Sequence, residues 1–451
     1  MRAFWAGLRR VLSEESREHG HLLIDLAKWL VLGTAVGVLA GLSAALFLYG
    51  LALVTDTRLE QTWLLWLLPV GGLLVGLMYQ YLGGRAAGGN NLILDELHGL
   101  DPAGPKPAQG PGWVPRRMAP LVLVGTWITH LFGGSAGREG TAIQMSGSLA
   151  DSLSRLLRLE AADRRIVLIA GIAGGFGAVF SVPLAGAVFA LEVQSVGRIR
   201  HDALVPALAA SITGNLITQW WGLYHHVTPT ITLPSLDLEL GLLGSVVLAG
   251  LAFGLTAVVF SELTVWLRRG FRRLSWAPLR PFVGGILVVL LTLAVGSRDY
   301  LGLSLPLIEV ALSGAAVAGY VFALKLLFTA VTLGAGFPGG EVTPLFVIGA
   351  TLGAALGNVL NAPPELLAAL GLVAVFGAAT NTPLACTIMG IELFGAGALP
   401  YVAVACAVAY LFSSHRGIYE AQRIDTPKSA RLAHGGAASL RDVSQWRRTP
   451  R

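Results

Sequence analysis

The sequence predicts an all-α, polytopic membrane protein built from two internally repeated halves, with discontinuous helices that meet at mid-membrane. Three observations predict it. The 451 residues are 54% hydrophobic and only 13% charged, with a mean hydropathy of +0.67, whereas soluble domains carry roughly 25% charged residues. Apolar runs follow one another along the chain, and several are broken by Gly and Pro or fall short of the about 20 residues that a spanning helix needs. Finally, the chain resembles itself at offsets of 200 and 202 residues.

Taken in order, residues 1–20 are amphipathic and polar and read as a cytoplasmic N-terminal segment, not a cleavable signal peptide. Residues 21–425 read as one transmembrane domain, with repeat halves at roughly 21–222 and 238–425. Leu30–Val54 and Trp63–Leu82 are long enough to span. Later apolar runs are Met118–Phe132, Ile166–Val193, Leu204–Trp221, Leu240–Leu267, Val283–Val295, Val317–Leu333, Leu345–Leu360, Leu366–Phe376, Pro383–Phe394 and Leu399–Phe412, several of them short and broken by Gly and Pro. Such interrupted segments mark helices that stop inside the membrane around a binding site. The 57 glycines fit helices packed backbone to backbone. The most polar internal stretch, Gly83–Arg117, holds the loop Asp101-Pro102-Ala103-Gly104-Pro105-Lys106-Pro107. Residues 426–451 read as a short cytoplasmic tail, too small for a regulatory domain.

Charge sets the expected topology. Arg2, Arg9, Arg10 and Arg17 precede the first span, Arg268, Arg269, Arg272 and Arg273 follow another, and Lys428, Arg431, Arg441, Arg447, Arg448 and Arg451 end the chain; the segment 223–238 has no Lys or Arg. The positive-inside rule places both termini in the cytoplasm and 223–238 outside. Topology accounts for these basic clusters, and no nucleic-acid partner is expected. The two cysteines, Cys386 and Cys406, sit in apolar runs without metal-ligand spacing, and no cofactor is expected.

The repeat is legible residue by residue. Gly177-Ala178-Val179-Phe180-Ser181-Val182-Pro183-Leu184-Ala185 resembles Gly377-Ala378-Ala379-Thr380-Asn381-Thr382-Pro383-Leu384-Ala385, and the match continues to Glu192 and Glu392. Gly137-Arg138-Glu139-Gly140-Thr141 stands against Gly339-Gly340-Glu341-Val342-Thr343, with Gly147 against Gly349. Transporters built from repeats bind substrate where the halves meet, with half-helix N-termini aimed at anions. The sequence leaves open whether the halves are inverted; inversion is the expectation.

The chemistry concentrates in Gly133-Gly134-Ser135-Ala136-Gly137-Arg138-Glu139-Gly140-Thr141. Charged side chains at membrane depth are expensive and mark function. Glycines on both sides suggest a helix start with free N–H groups, which holds small anions. Glu139 is then a carboxylate placed where an anion would sit, and its departure on protonation would couple anion passage to protons.

This motif, a second Gly-Gly-x-x-x-Pro motif at 339–344, a Gly-rich helix start at 88–92 and a tyrosine near the end together resemble the CLC family of anion channels and proton-coupled antiporters, over residues 25 to 425. The resemblance implies the CLC-type architecture and a homodimer with one pathway per subunit. Chloride-type members usually carry Gly-Ser-Gly-Ile-Pro where this chain has Gly88-Gly89-Asn90-Asn91-Leu92-Ile93, a proline where it has Thr141, and Gly-x-Phe-x-Pro where it has Gly340-Glu341-Val342-Thr343-Pro344. The pattern is similar to the fluoride/proton antiporter branch. It implies Glu139 as the gating glutamate and Glu341 as a second gating and proton-coupling carboxylate. The anion-binding set is Asn90, Asn91, Arg138, Gly140, Val342, Thr343 and Tyr419, with backbone amides of Glu341 and Val342 as central donors. Chloride antiporters often carry a second glutamate where this chain has Val193 after Glu192, so an inner proton route would pass through Glu341 or water.

Fluoride is small and strongly hydrated, so its site must offer strong donors: amide groups of Asn90 or Asn91, backbone N–H, and hydroxyls of Thr343 and Tyr419. A protonated Glu341 would add another. Plainer readings stand beside these. Glu139 could pair with Arg138, although neighbours on a helix point apart; Glu341 could face a polar interface; Asn90 and Asn91 could cap a helix; Tyr419 could be an interfacial belt residue. Glu192 and Glu392 read as structural, and His130 as a packed histidine. The expected function is proton-coupled fluoride export across the cell (inner) membrane, not enzymatic turnover. The alternatives are a chloride channel or chloride/proton antiporter of the same fold, a passive fluoride channel, and an intramembrane hydrolase using Ser135 and His130. The absence of a Gly-x-x-x-x-Gly-Lys-Ser/Thr motif favours gradient-driven transport.

Overall fold

The computed structural model describes residues 2–99, 112–222, 233, 237–432 and 439–446, with side chains left aside at 2–17 and 445–446. The Pro/Gly-rich loop at 101–107 and most of 223–238 lie outside the described residues. The first half contains α1 (Arg2–Glu60), α2 (Leu68–Met78), α3 (Gly89–Gly99), α4 (Met118–Leu131), α5 (Glu139–Leu156), α6 (Ala161–Phe180), α7 (Pro183–Glu192) and α8 (Leu204–Trp220). The second contains α9 (Leu240–Phe271), α10 (Leu279–Val295), α11 (Leu305–Leu312), α12 (Val321–Ala335), α13 (Val342–Leu360), α14 (Pro364–Thr380), α15 (Pro383–Phe394) and α16 (Leu399–Phe412), followed by the short α17 (Leu440–Trp446). Among the described residues, four segments are long and apolar enough to cross a membrane: Glu18–Glu60, Thr62–Gly99, Leu240–Phe271 and Val342–Leu360. The remaining apolar helices are shorter, as the interrupted runs predict.

Two boundaries differ from the sequence expectation. Residues 2–20 are not set apart; they continue into α1 without a break. The apolar run Ile166–Val193 is two helices. Ser181 takes a left-handed conformation (φ 58°), and Pro183, which lacks an N–H, opens the next helix. Asn381 (φ 59°) and Pro383 repeat this break in the second half.

The packing is two-fold. α1–α8 correspond in order to α9–α16, and their contacts repeat: α1 with α8 as α9 with α16, α5 with α6 as α13 with α14, α6 with α8 as α14 with α16, while α2 meets its own equivalent α10 and α7 its equivalent α15. The sense of the repeat is read from two carboxylates. Glu192, ending α7, accepts the N–H groups of Leu384 and Ala385 at 3.2 and 2.8 Å. Glu392, near the end of α15, accepts those of Leu184 and Ala185 at 2.9 and 2.7 Å. Each helix thus caps the other's first turn with its own last turn, so α7 and α15 run antiparallel and the halves are inverted. Each contact places a negative group on a positive helix end. The structural reading of Glu192 and Glu392 holds.

The core lies across the junction of the halves. Phe176 stacks on Phe189 at 4.3 Å and on Phe376 at 6.0 Å, and Phe346 meets Phe376 edge-on at 5.3 Å. α13 and α14 touch through backbone: a Cβ on Gly349 would fall 2.0 Å from the Gly371 carbonyl oxygen, so only glycine permits that separation. Large apolar side chains on the outer face of α1, such as Leu22, Leu42, Leu46 and Leu53, are exposed, as a surface against lipid requires.

The inverted capping yields a paired prediction. Glu192→Ala and Glu392→Ala should each lower the thermal stability of the detergent-solubilised protein by a similar amount, about 1–2 kcal/mol per lost cap. Unfolding midpoints of the two variants check this, and a large loss in one with none in the other would contradict the symmetric arrangement.

Candidate functional site

The two halves meet at the starts of α5 and α13. The loops leading into these helices form a short antiparallel bridge: Gly137 N–H donates to Gly340 O at 2.6 Å, and Gly340 N–H to Gly137 O at 2.8 Å. Glycine is required on both sides of this crossing. A Cβ on Gly137 would lie 2.7 Å from the Glu139 carboxylate, and one on Gly340 2.8 Å from Gly140 N. Threonines brace the crossing from the flanking helices. Thr129 of α4 donates to Pro338 O at 2.8 Å, and Thr332 of α12 accepts the Ser135 N–H at 3.2 Å.

Glu139 starts α5, but its side chain crosses to the other half. The carboxylate is 0% exposed. One oxygen accepts the Thr343 hydroxyl, and the other accepts the N–H groups of Thr343 and Arg138, each at 3.1 Å. The side chain therefore occupies the N-terminal end of α13, where unsatisfied N–H groups and the helix dipole attract anions. Arg138 Nε stands 3.8 Å from it, a long contact beside those to Thr343, so the ion pair alone does not account for the placement. The donors are Thr343 and Arg138; the Thr343 amide is one residue beyond the Val342 amide that the family resemblance indicates.

Beneath this carboxylate opens a cavity of about 510 Å³, whose lining includes Asn90, Asn91, Gln144, Glu341 and Tyr419. Asn90 Oδ1, Glu341 Oε2 and Tyr419 Oη are buried there without a hydrogen-bond partner. Unpaired buried polar atoms are costly, and three around one cavity mark a place for a polar occupant. Glu341 is within electrostatic reach of Glu139 and Arg268, and Tyr419 of both glutamates. Arg268, Arg272 and Arg280 add positive charge to the cavity wall.

The other expected residues divide. Asn90 Nδ2 is close to the start of α5, 3.2 Å from where a Gly140 Cβ would lie, so Gly140 belongs to the site through its lack of a side chain. Val342 and Thr343 are fully buried at the start of α13. Asn91 turns its oxygen elsewhere, accepting the Ala421 N–H at 2.9 Å; it fixes the Tyr419 loop while still bordering the cavity. That loop is also tied by Ile418 N–H to Ala379 O and by Gln422 to Val193 O and Thr380 O, all at 2.9 Å. Tyr419 is 3% exposed, which removes the reading as an interfacial belt residue. Val193 is buried with Phe189, Ile172 and Tyr419 around a small apolar cavity, so no ionisable side chain stands at that position. The sequence reading passed over Gln144, the three cavity arginines and Lys325.

Just before the tail, Ser195–Val196 pairs in parallel with Arg423–Ile424; within it, Arg441 of α17 pairs with Asp95 of α3 at 3.3 Å.

Residues 71–414 match the family described as voltage gated chloride channel. The chain belongs to the CLC family. Among CLC relatives, it is 46% identical to a chloride/fluoride channel protein of Pseudomonas syringae pv. tomato, over 91% of this chain and 89% of that one. It is 29% identical to the H(+)/Cl(-) exchange transporter ClcA of Vibrio cholerae, over 81% of each. Its fold matches a crystal structure of a CLC-type fluoride/proton antiporter with a TM-score of 0.82 at 35% identity, over 89% of this chain and 99% of that one. It is therefore a multi-pass membrane transporter of the CLC fold.

If the Glu139 carboxylate competes with an anion for the same donors, Glu139→Ala should bind fluoride more tightly than the unaltered protein. The expected gain is about tenfold, since one charge-assisted hydrogen bond is worth about 1.5–3 kcal/mol. Calorimetric titration with sodium fluoride measures it, and equal affinities would show that the side chain and the anion do not share a site.

Proposed function

We propose that this chain exports fluoride in exchange for protons, with Glu139 as the gate. The observation that carries the proposal is the Glu139 carboxylate resting on the Thr343 hydroxyl and N–H. An ionised Glu139 fills the anion's place at α13. On protonation it loses its charge and its advantage over fluoride, leaves, and carries a proton while the anion enters. Alternate occupation of one donor set by a carboxylate and an anion links the two movements.

Fluoride rather than chloride is supported by the donors and by the relatives. Asn90 brings an amide NH₂ and Tyr419 a hydroxyl, both strong donors to a hard anion. Glu341 in its protonated form would donate as well, and with Val193 at the alternative position it is the carboxyl available on the inner proton route. A relative at 46% identity bears fluoride in its name, as does the description of the 35% identical structure, while the chloride exchanger is 29% identical. The same proposal places both termini in the cytoplasm, the chain in the cell (inner) membrane, and two subunits in a homodimer. The name of the Pseudomonas relative also favours a second reading, a channel, in which the anion moves without obligatory proton exchange.

Efflux from proteoliposomes, with pH recorded alongside, separates these readings. The expected outcome is fast fluoride efflux with stoichiometric proton movement, little chloride efflux, and loss of proton coupling in Glu139→Gln. Comparable chloride flux would indicate a chloride transporter. Fluoride flux without proton movement would indicate a channel, and proton pumping by Glu139→Gln at the unaltered level would remove Glu139 from its role.

A further inference from the structure

A second cavity, of about 290 Å³, lies at the opposite end of the molecule from the Glu341 cavity. α10 connects the two: Arg280, in its first turn, lines the Glu341 cavity, and Arg298, just beyond its end, lines this one. Seventeen helical residues separate them by about 25 Å. The lining of the second cavity includes Arg58 from the end of α1, Arg298 and the hydroxyl residues Thr55, Thr62 and Ser304.

The charge balance here is net positive: the arginines Arg58 and Arg298 stand against one carboxylate, Asp299. Arg58 Nε is buried without a hydrogen-bond partner, and neither Arg58 nor Arg298 has an ion-pair partner among the described residues. The one carboxylate in the wall, Asp299, accepts the Ser297 hydroxyl at 2.6 Å. Behind the wall stands Lys325, 0% exposed. Its ammonium group donates among Ser135 Oγ, Gly302 O and Ser304 Oγ at 2.8–2.9 Å, with Tyr300 O at 3.3 Å. These oxygens occupy its N–H donors, so Lys325 braces the Ser304 side of the wall and offers no bond to a ligand.

Packed groups link the cavity wall to the Glu139 region. A Cβ on Gly302 would lie 3.1 Å from Arg58 Nη2 and 3.7 Å from His130 Nδ1. The other His130 ring nitrogen is 3.4 Å from Gly137 O, in the bridge beside Glu139. A cavity of this volume holds several water molecules, so it suits an anion that keeps part of its hydration shell. Low-dielectric walls around like charges focus their field on such an occupant.

We propose that this cavity is a separate subsite for a small inorganic anion, formed by Arg58 and Arg298 in a wall braced by Lys325, where the transported ion rehydrates on its way to or from the Glu139 gate. The assignment of the occupant as transported cargo rests on the fluoride-transport reading; the subsite itself does not. Calorimetric titration of the purified full-length protein with sodium fluoride, and separately with sodium chloride, tests it at equilibrium. Arg58→Gln/Arg298→Gln should lose one binding component or weaken it by about tenfold, and Arg58→Lys/Arg298→Lys should keep it. Should the double variant not remain monodisperse, the single Arg298→Gln, at an exposed side chain, is expected to weaken the same component by about threefold. Unchanged fluoride and chloride binding in the glutamine variants would overturn the subsite. Because binding is read without transport, an unaltered protein that moves no fluoride in liposomes would sink the functional reading and leave the titration to judge the cavity.

Discussion

The contact between Glu139 and the first turn of α13 is the constraint around which the molecule is arranged. A carboxylate from one half satisfies donors at the helix start of the other half, in a place closed to solvent. A buried carboxylate is tolerated only if its oxygens are paired, and helix starts are where unpaired N–H groups accumulate. Breaking two helices at mid-membrane creates those donors. The Gly137–Gly340 bridge then brings the two starts within reach of a single side chain.

Inversion makes that arrangement economical. Two copies of one element, related by a two-fold, bring like ends together, so helix starts face each other at α5 and α13. The same operation sets helix ends against helix starts at α7 and α15, where Glu192 and Glu392 cap reciprocally. The symmetry is broken where chemistry is needed. Glu139 in the first half reaches the N-terminal end of α13, while Glu341, just before that helix, borders the larger cavity with an oxygen left unpaired. The first residue of α5 and the residue just before α13 thus carry two carboxyls in different surroundings.

Much of this was legible in the sequence because the signals are local. Composition gave the membrane class, Gly and Pro gave the broken helices, and matched motifs gave the repeat and the Glu139 and Glu341 positions. The misses have physical causes. Ser181 was passed over because a left-handed serine has no sequence signature as strong as glycine's, so α6 and α7 read as one run. Asn91 was grouped with Asn90 because adjacency in sequence says nothing of direction on a helix. Lys325 had a usable signal: it is a charge inside the apolar run Val317–Leu333, the same criterion that singled out Glu139. The arginines lining the cavities are brought together only by tertiary folding and could not be read from spacing.

The larger cavity's polar atoms bear on selectivity. An ionised Glu341 is only an acceptor, and Asn90 Oδ1 is another, so neither atom can hold an anion as it stands. Asn90 must turn its NH₂ toward the ion, and Glu341 must carry a proton. The Tyr419 hydroxyl has no partner and is free to donate to the anion. Under the proposed function, a fluoride in this cavity favours the protonated carboxyl, because two negative charges in one buried cavity repel. At both carboxyls the anion then goes with the protonated form: an ionised Glu139 takes the anion's donors, and an ionised Glu341 repels the anion. Under the proposed function, a chain with Val193 in place of an inner glutamate has Glu341 as its second acid beside Glu139.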